Sequence, residues 1–258
     1  MIAIKSEYEI AVLREANQIV AEVLVTLAGM VAPGVSTGAL DEEAARLIRA
    51  YGARPSFLGY HGYPKNTCIS VDDQIIHGIP GKRKLQEGQI VSIDVGVKHN
   101  GYYGDAAVTV ACGSVDGPRQ HLMATTDLAL SRAIAAARDG GYLSDISRAV
   151  QTTCEAEGFS IVRSFVGHGI GTAMHEEPQV PNFVSKEKGP RLRTGMVLAI
   201  EPMVNAGTHD VRVLKDGWTA VTADGKPSAH FEHSVVVREG GGEILSATPK
   251  LVWGRRTN

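Results

Sequence analysis

The chain has little cysteine: Cys68, Cys112 and Cys154, widely spaced and with no Cys-x-x-Cys pair. An odd, scattered set excludes a disulfide framework or a thiolate zinc site and points to a reducing compartment. Long basic runs are also lacking. Lys82-Arg83-Lys84 and Arg255-Arg256 are the longest, and the net charge is −2, so composition gives no support for binding nucleic acid or a membrane surface. No stretch approaches the ~18 apolar residues of a membrane span. The N-terminal residues 1–10 alternate charge with short apolar pieces and have no signal-peptide core of roughly 7–15 apolar residues. A cytoplasmic location is the expectation. What is present is an ordinary globular composition of 258 residues, 43 % of them hydrophobic, sufficient for a substantial core.

Against that background one pattern occurs twice. Leu85-Gln-Glu-Gly-Gln-Ile-Val-Ser-Ile-Asp94 and Leu192-Arg-Thr-Gly-Met-Val-Leu-Ala-Ile-Glu201 share the form Leu-x-x-Gly-x-apolar-apolar-small-Ile-acid, offset by 107 residues (201 minus 94). Strand periodicity puts Val91, Ile93, Val95 and Val97 on one face and Asp94 on the other. An ionised, unpaired carboxylate in so apolar a strand costs several kcal/mol to desolvate, so it requires a cation, a proton or dense hydrogen bonding.

The surrounding chain reads as two similar halves. Ser6-x-x-Glu9 is a capping box opening a long helix with Ile10, Leu13, Val20, Leu24, Leu27 and Val31 on one stripe. A second helix runs from near Thr37 to Gly52, with Asp41, Glu42 and Glu43 near its positive end. Short strands follow over 67 to 76. The Asp94 strand then turns at Asn100-Gly101 and returns over Tyr102 to Ala111. With those two residues as the central pair of the turn, Asp94 faces Ala107, and Asp105 lies on the same face at a diagonal distance of ~7–8 Å. In the second half Pro118 opens a helix, Ser144 caps another, and Phe165-Val-Gly-His168-Gly follows Leu58-Gly-Tyr-His61-Gly at the same 107-residue offset. Glu232 matches Asp105 at an offset of 127, so the second hairpin carries about 20 extra residues around Trp218. The expectation is one α+β domain, residues 1–258, with pseudo-symmetric halves of about 1–117 and 118–258.

Asp94, Asp105, His168, Glu201 and Glu232 make a set of one imidazole and four carboxylates without thiolate. It suits two hard or borderline divalent ions, Mn, Fe or Co before Zn. Each acid taken alone could equally be a capped or salt-bridged strand residue; four in paired positions favour the metal set.

At these residues a family resemblance enters. Ile93-Asp94-Val95, Gly104-Asp105, Gly167-His168-Gly-Ile-Gly171, His175-Glu-Glu-Pro178, Ile200-Glu201-Pro202 and Phe231-Glu232-His233 together resemble a type I methionine aminopeptidase, over nearly the whole chain. The resemblance implies the pita-bread fold, a duplicated αβ unit with pseudo-twofold symmetry around a central antiparallel sheet. It implies two divalent metal ions, with Asp94 chelating one, Asp105 and Glu232 bridging both, and His168 with Glu201 completing the other. His77 and His175 would face the substrate, Glu201 would also shuttle a proton, and Phe57, Tyr60, His61, Tyr63, Cys68, Met174 and Trp218 would line the methionine pocket.

The activity implied is removal of the N-terminal methionine from nascent polypeptides with a small second residue, by water activated at the dinuclear centre. A monomer with transient ribosome contact is implied as well. The chain departs from the family at Met174, where an aromatic is common, and at Gly96 and Ala106-Ala107, where hydroxyl residues are common. Two alternatives stand beside this reading. X-Pro aminopeptidases and prolidases use the same five ligands, but usually behind an extra N-terminal domain, whereas this chain starts directly at the repeat. Non-catalytic peptide-binding relatives lose ligands, and all five are present here.

Overall fold

Ser6 and Glu9 form the capping box: the Glu9 amide donates to Ser6 Oγ and the Ser6 amide to Glu9 Oε2. The computed structural model describes residues 2–247, so the basic pair Arg255-Arg256 lies outside the described residues. From the cap runs α1 (Glu7–Met30), whose stripe Ile10, Leu13, Val20, Leu24 and Leu27 is fully buried. Ser36 caps α2 (Thr37–Ala50), and the acids at 41 to 43 fall in its second turn rather than at its positive end. Next come β1 (Arg54–Pro55), a 3-10 turn over Tyr60–Gly62, β2 (Cys68–Val71), β3 (Gln74–Ile76), β4 (Gln89–His99) and β5 (Tyr102–Cys112).

The second half supplies α3 (Gly117–Ala136), α4 (Leu143–Ala156), β6 (Ser160–Ile161), β7 (Gly167–Gly169), β8 (Glu176–Val180), β9 (Val197–Ile200), β10 (Met203–Asn205), β11 (Val211–Val213), β12 (Ala220–Thr222), β13 (Ser228–His230), β14 (Glu232–Arg238) and β15 (Gly241–Ile244). Ser144 is not the cap of α4. Tyr142 holds that position, its amide donating to Asp145 Oδ2. The amides of Leu143 and Ser144 donate instead to the carbonyls of Pro190 and Lys188, so the first turn needs no hydroxyl acceptor.

A nine-stranded sheet, antiparallel at every pairing, runs β1-β4-β5-β14-β9-β7-β8, with β2 also on β4 and β15 on β14. The β4–β5 register pairs Asp94 with Ala107, as the Asn-Gly turn requires. Where the halves meet, β5 pairs β14 with Ala106 opposite His233. These two residues are related by the 127-residue offset, so the pseudo-twofold passes through that pair. The symmetry is incomplete at the next strands. His168 sits in β7 directly beside β9, whereas its counterpart His61 lies in the 3-10 turn and β2 takes the place beside β4.

Val91, Ile93, Val95 and Val97 join Val20, Leu24 and Leu27 of the α1 stripe in the main core, which leaves Asp94 on the opposite face, while Ile10 and Leu13 pack in a smaller cluster with Ile170, Val197, Val236 and Leu245. The extra residues of the second hairpin form β11 and β12, and β12 returns against β3, carrying Trp218 towards His77. Among the described residues no helix is long and apolar enough to cross a membrane.

Candidate functional site

Register places the acids side by side. Ala107 pairs with Asp94 on one side and with Glu232 on the other, so three adjacent strands present these positions on one face with a methyl group between the two carboxylates. Asp105 stands two residues along the same face of β5. Glu201 follows the end of β9, and His168, in β7, pairs with Ala199. The ligand atoms of Asp105, His168 and Glu232, all buried, lie within 4.8 Å of one another, and His168 Nε2 is 3.6 Å from Glu201 Oε1.

His168 Nδ1 is 2.9 Å from the Gly169 carbonyl. A carbonyl only accepts, so Nδ1 carries the proton and the lone pair of Nε2 faces the acids.

The electrostatics of this face are unbalanced. Asp94 Oδ1, Asp105 Oδ1 and Glu232 Oε1 are buried without a hydrogen-bond partner, and no Lys or Arg lines the cavity among the described residues. Burial pushes the Asp94 carboxyl up to about 7. Burial and then the neighbouring acids drive Asp105, Glu201 and Glu232 well above the carboxylate range. Burial lowers His168 to about 3, with His175 adding to it. Partnerless buried oxygens beside a neutral imidazole lone pair are a donor set that fits divalent cations.

Beside the acids lies an apolar chamber. Phe57, Tyr63, Cys68 and Met174 are buried together, with Tyr60, Ile79, Tyr103 and Trp218 packed on them. The Tyr63 hydroxyl is 3.0 Å from each of the Thr67 and Gly78 carbonyls, and its ring meets Trp218 edge-on at 5.1 Å. His77 packs between Phe165 and Trp218, and burial lowers it to about 4. His175 meets His168 edge-on with ring centroids 4.2 Å apart.

One cavity of about 270 Å³ is lined by Phe57, Tyr60, His61, Tyr63, Cys68, His77, Asp94, Asp105, His168, Met174, His175, Glu201, Trp218 and Glu232. Every site residue expected from the sequence is thus brought to one place, His61 at its exposed rim.

Supporting residues were harder to read from sequence. Asn182 Nδ2 donates to the Glu201 carbonyl, Ser234 Oγ donates to the Asp105 carbonyl, and His230 Nε2 lies 3.8 Å from Glu232 Oε2. Asn17 Oδ1 accepts from the Asp105 amide. Its signal was available: it is an amide at a fully buried position of the apolar α1 stripe.

Comparison with known proteins agrees with this geometry. The model of metallopeptidase family M24 matches residues 11–239. The methionine aminopeptidase 1 of Bacillus subtilis is 48 % identical over 246 residues, 95 % of this chain and 99 % of that protein. The chain belongs to the M24 metallopeptidases, among the methionine aminopeptidases. The crystal structure of the methionine aminopeptidase of Thermotoga maritima superposes with a TM-score of 0.94 at 42 % identity, covering 96 % of this chain and 100 % of that one. The prolidase of Pyrococcus furiosus matches at 0.75 and 21 % identity, over 95 % of this chain and 65 % of that one, a likeness of fold. The fold is therefore the pita-bread fold of these M24 enzymes, a curled antiparallel sheet backed by helices.

Proposed function

We propose that this methionine aminopeptidase removes the N-terminal methionine from nascent polypeptides whose second residue is small, acting in the cytoplasm as one catalytic unit. The carrying observation is that the partnerless acid cluster and an apolar chamber suited to an unbranched thioether share one cavity. Asp94, Asp105, His168, Glu201 and Glu232 would hold two divalent ions, Mn, Fe or Co before Zn. When bound, these ions supply Lewis acidity and lower the pKa of water.

The chain's own residues do the rest. The chamber takes the side chain through dispersion and sulfur–aromatic contacts with Tyr60, Tyr63, Cys68, Met174 and Trp218. That places the first residue's amine beside the acid cluster. His77 and His175, held neutral by burial, can donate N–H bonds to the scissile amide and to the charge that develops on its oxygen. Glu201, which lines the same cavity, would accept a proton as a carboxylate and return it to the departing amine. The next residue of the substrate would lie close to these two histidines, which favours a small side chain there.

An X-Pro peptidase is the competing reading, and the fold alone accommodates it. The 48 % identity to a methionine aminopeptidase, against 21 % to a prolidase, favours the first. The test is stoichiometry: metal-free protein titrated with Mn(II) or Co(II) should bind two ions per chain as activity on Met-Ala-Ser appears. Full activity at one ion per chain would contradict the dinuclear assignment.

A further inference from the structure

His175 has a partner that the proposed reaction does not use. The Tyr60 hydroxyl oxygen lies 2.6 Å from His175 Nδ1, with ring centroids 5.2 Å apart. Both ends of this contact are anchored independently. Tyr60 is carried by a tight turn in which Gly59, His61 and Gly62 take φ of 83°, 47° and 88°. That turn is closed by the Gly59 amide donating to the Tyr63 carbonyl at 2.8 Å and the Tyr63 amide to the Tyr60 carbonyl at 2.9 Å. A non-glycine residue in the left-handed region is a conformation that the surroundings must enforce, so the turn is held rather than free. On the other side Glu176, next to His175, accepts from Lys5 Nζ at 2.7 Å and from the Ala173 amide at 3.2 Å, which ties down the segment carrying the imidazole.

A neutral imidazole has one donor and one acceptor nitrogen, and the hydrogen bond at one nitrogen dictates the other. Burial raises the Tyr60 phenol above its ordinary range, so the hydroxyl keeps its proton. Among the described residues that hydroxyl has no other acceptor.

We propose that Tyr60 is a positioning residue for His175: its hydroxyl donates to Nδ1, which fixes the tautomer that carries hydrogen on Nε2 and holds that N–H as the donor available to the cavity. Tyr60 would then serve twice, its ring as a wall of the side-chain chamber and its hydroxyl as the orienter of the group that acts on the scissile amide. This rests on the reading of His175 given above.

Tyr60→Phe keeps the ring and deletes the hydroxyl, so it separates the two roles. Steady-state kinetics on Met-Ala-Ser are measured for this variant alone and in a His175→Ala background, together with bound metal and the ¹⁵N spectrum of ¹⁵N-histidine-labelled protein. The expected result is a kcat lower by ~10–100-fold with KM and metal content little changed, the scale for a misplaced catalytic group. No further loss is expected in the His175→Ala background, because the hydroxyl acts only through that ring. His175 should pass from a single Nε2–H tautomer to a mixture. A loss confined to KM, equal losses in both backgrounds, or an unchanged tautomer would overturn the proposal and leave Tyr60 as chamber wall only. Full kcat in His175→Ala itself would overturn the role given to His175, while the tautomer still reports on Tyr60 independently.

Discussion

Two small residues decide whether the acid cluster and its chamber can coexist. Ala107 sits between Asp94 and Glu232 in register and offers only a methyl group, so the carboxylates are not pushed apart. A Cβ on Gly96 would come within 2.2 Å of Ser56 Oγ and 2.5 Å of the Phe57 ring, so the departure at 96 admits the chamber wall. Removing one charge from the cluster should release metal. Asp94→Asn and Glu232→Gln are each expected to lower bound metal and abolish activity, and elemental analysis showing two ions retained in both variants would contradict their role.

The same residues make metal-free stability depend on pH. The acids, with Asp94 at about 7 and the others raised, keep protons that the unfolded chain has released, so stability falls as pH rises through about 7. His168 and His233 at about 3, and His77 and His230 at about 4, act oppositely, costing stability as pH drops below the ordinary histidine value of 6.5. Above that value the acids alone decide the slope. The Tm of the metal-free protein should therefore fall from pH ~6.5 to ~8, and the rise on adding Mn(II) should grow over the same interval, since ligands must lose protons to bind. A flat metal-free Tm with a pH-independent metal shift would contradict this.

At the scale of elements, the hairpin was legible because Asn100-Gly101 fixes its register, and the placing of Asp105 beside Asp94 followed from it, while Glu201 and Glu232 were legible from the repeat. Ser144 was misplaced because the amides of its turn find carbonyls 44 or more residues away in sequence, at Lys188 and Pro190, which no local signal reveals. The β11–β12 insertion was seen only as extra length, since β12 is held by pairing with the distant β3 and β11 by pairing with β12. Asp41 looked like a helix-end charge, yet its carboxylate is buried and accepts from the amide and Nδ2 of Asn66 and from the amide and Oγ1 of Thr67, all at 2.8 to 2.9 Å. It closes the loop that carries Phe57, Tyr60 and Tyr63. Asp41→Ala leaves those donors unpaired and should cost ~2–4 kcal/mol in urea unfolding, raising KM for methionyl peptides while metal content is kept. An unchanged midpoint would contradict this anchoring role.

At the scale of the whole molecule, duplication brings two acidic strands from each half to one face, and the second-half insertion closes the chamber beside them with Trp218. If the chamber takes an unbranched side chain as proposed, leucine should be disfavoured by ~10–200-fold, as shape discrimination of about a methylene allows. The most direct test of this account is kcat/KM of the metal-loaded protein on Met-Ala-Ser, Met-Lys-Ser, Leu-Ala-Ser and Ala-Pro-Ser, with products read by mass spectrometry. Met-Ala-Ser is expected to be cleaved fastest, ahead of Met-Lys-Ser and Leu-Ala-Ser; faster release of alanine from Ala-Pro-Ser than of methionine from Met-Ala-Ser would contradict the account and assign the cavity to X-Pro peptides.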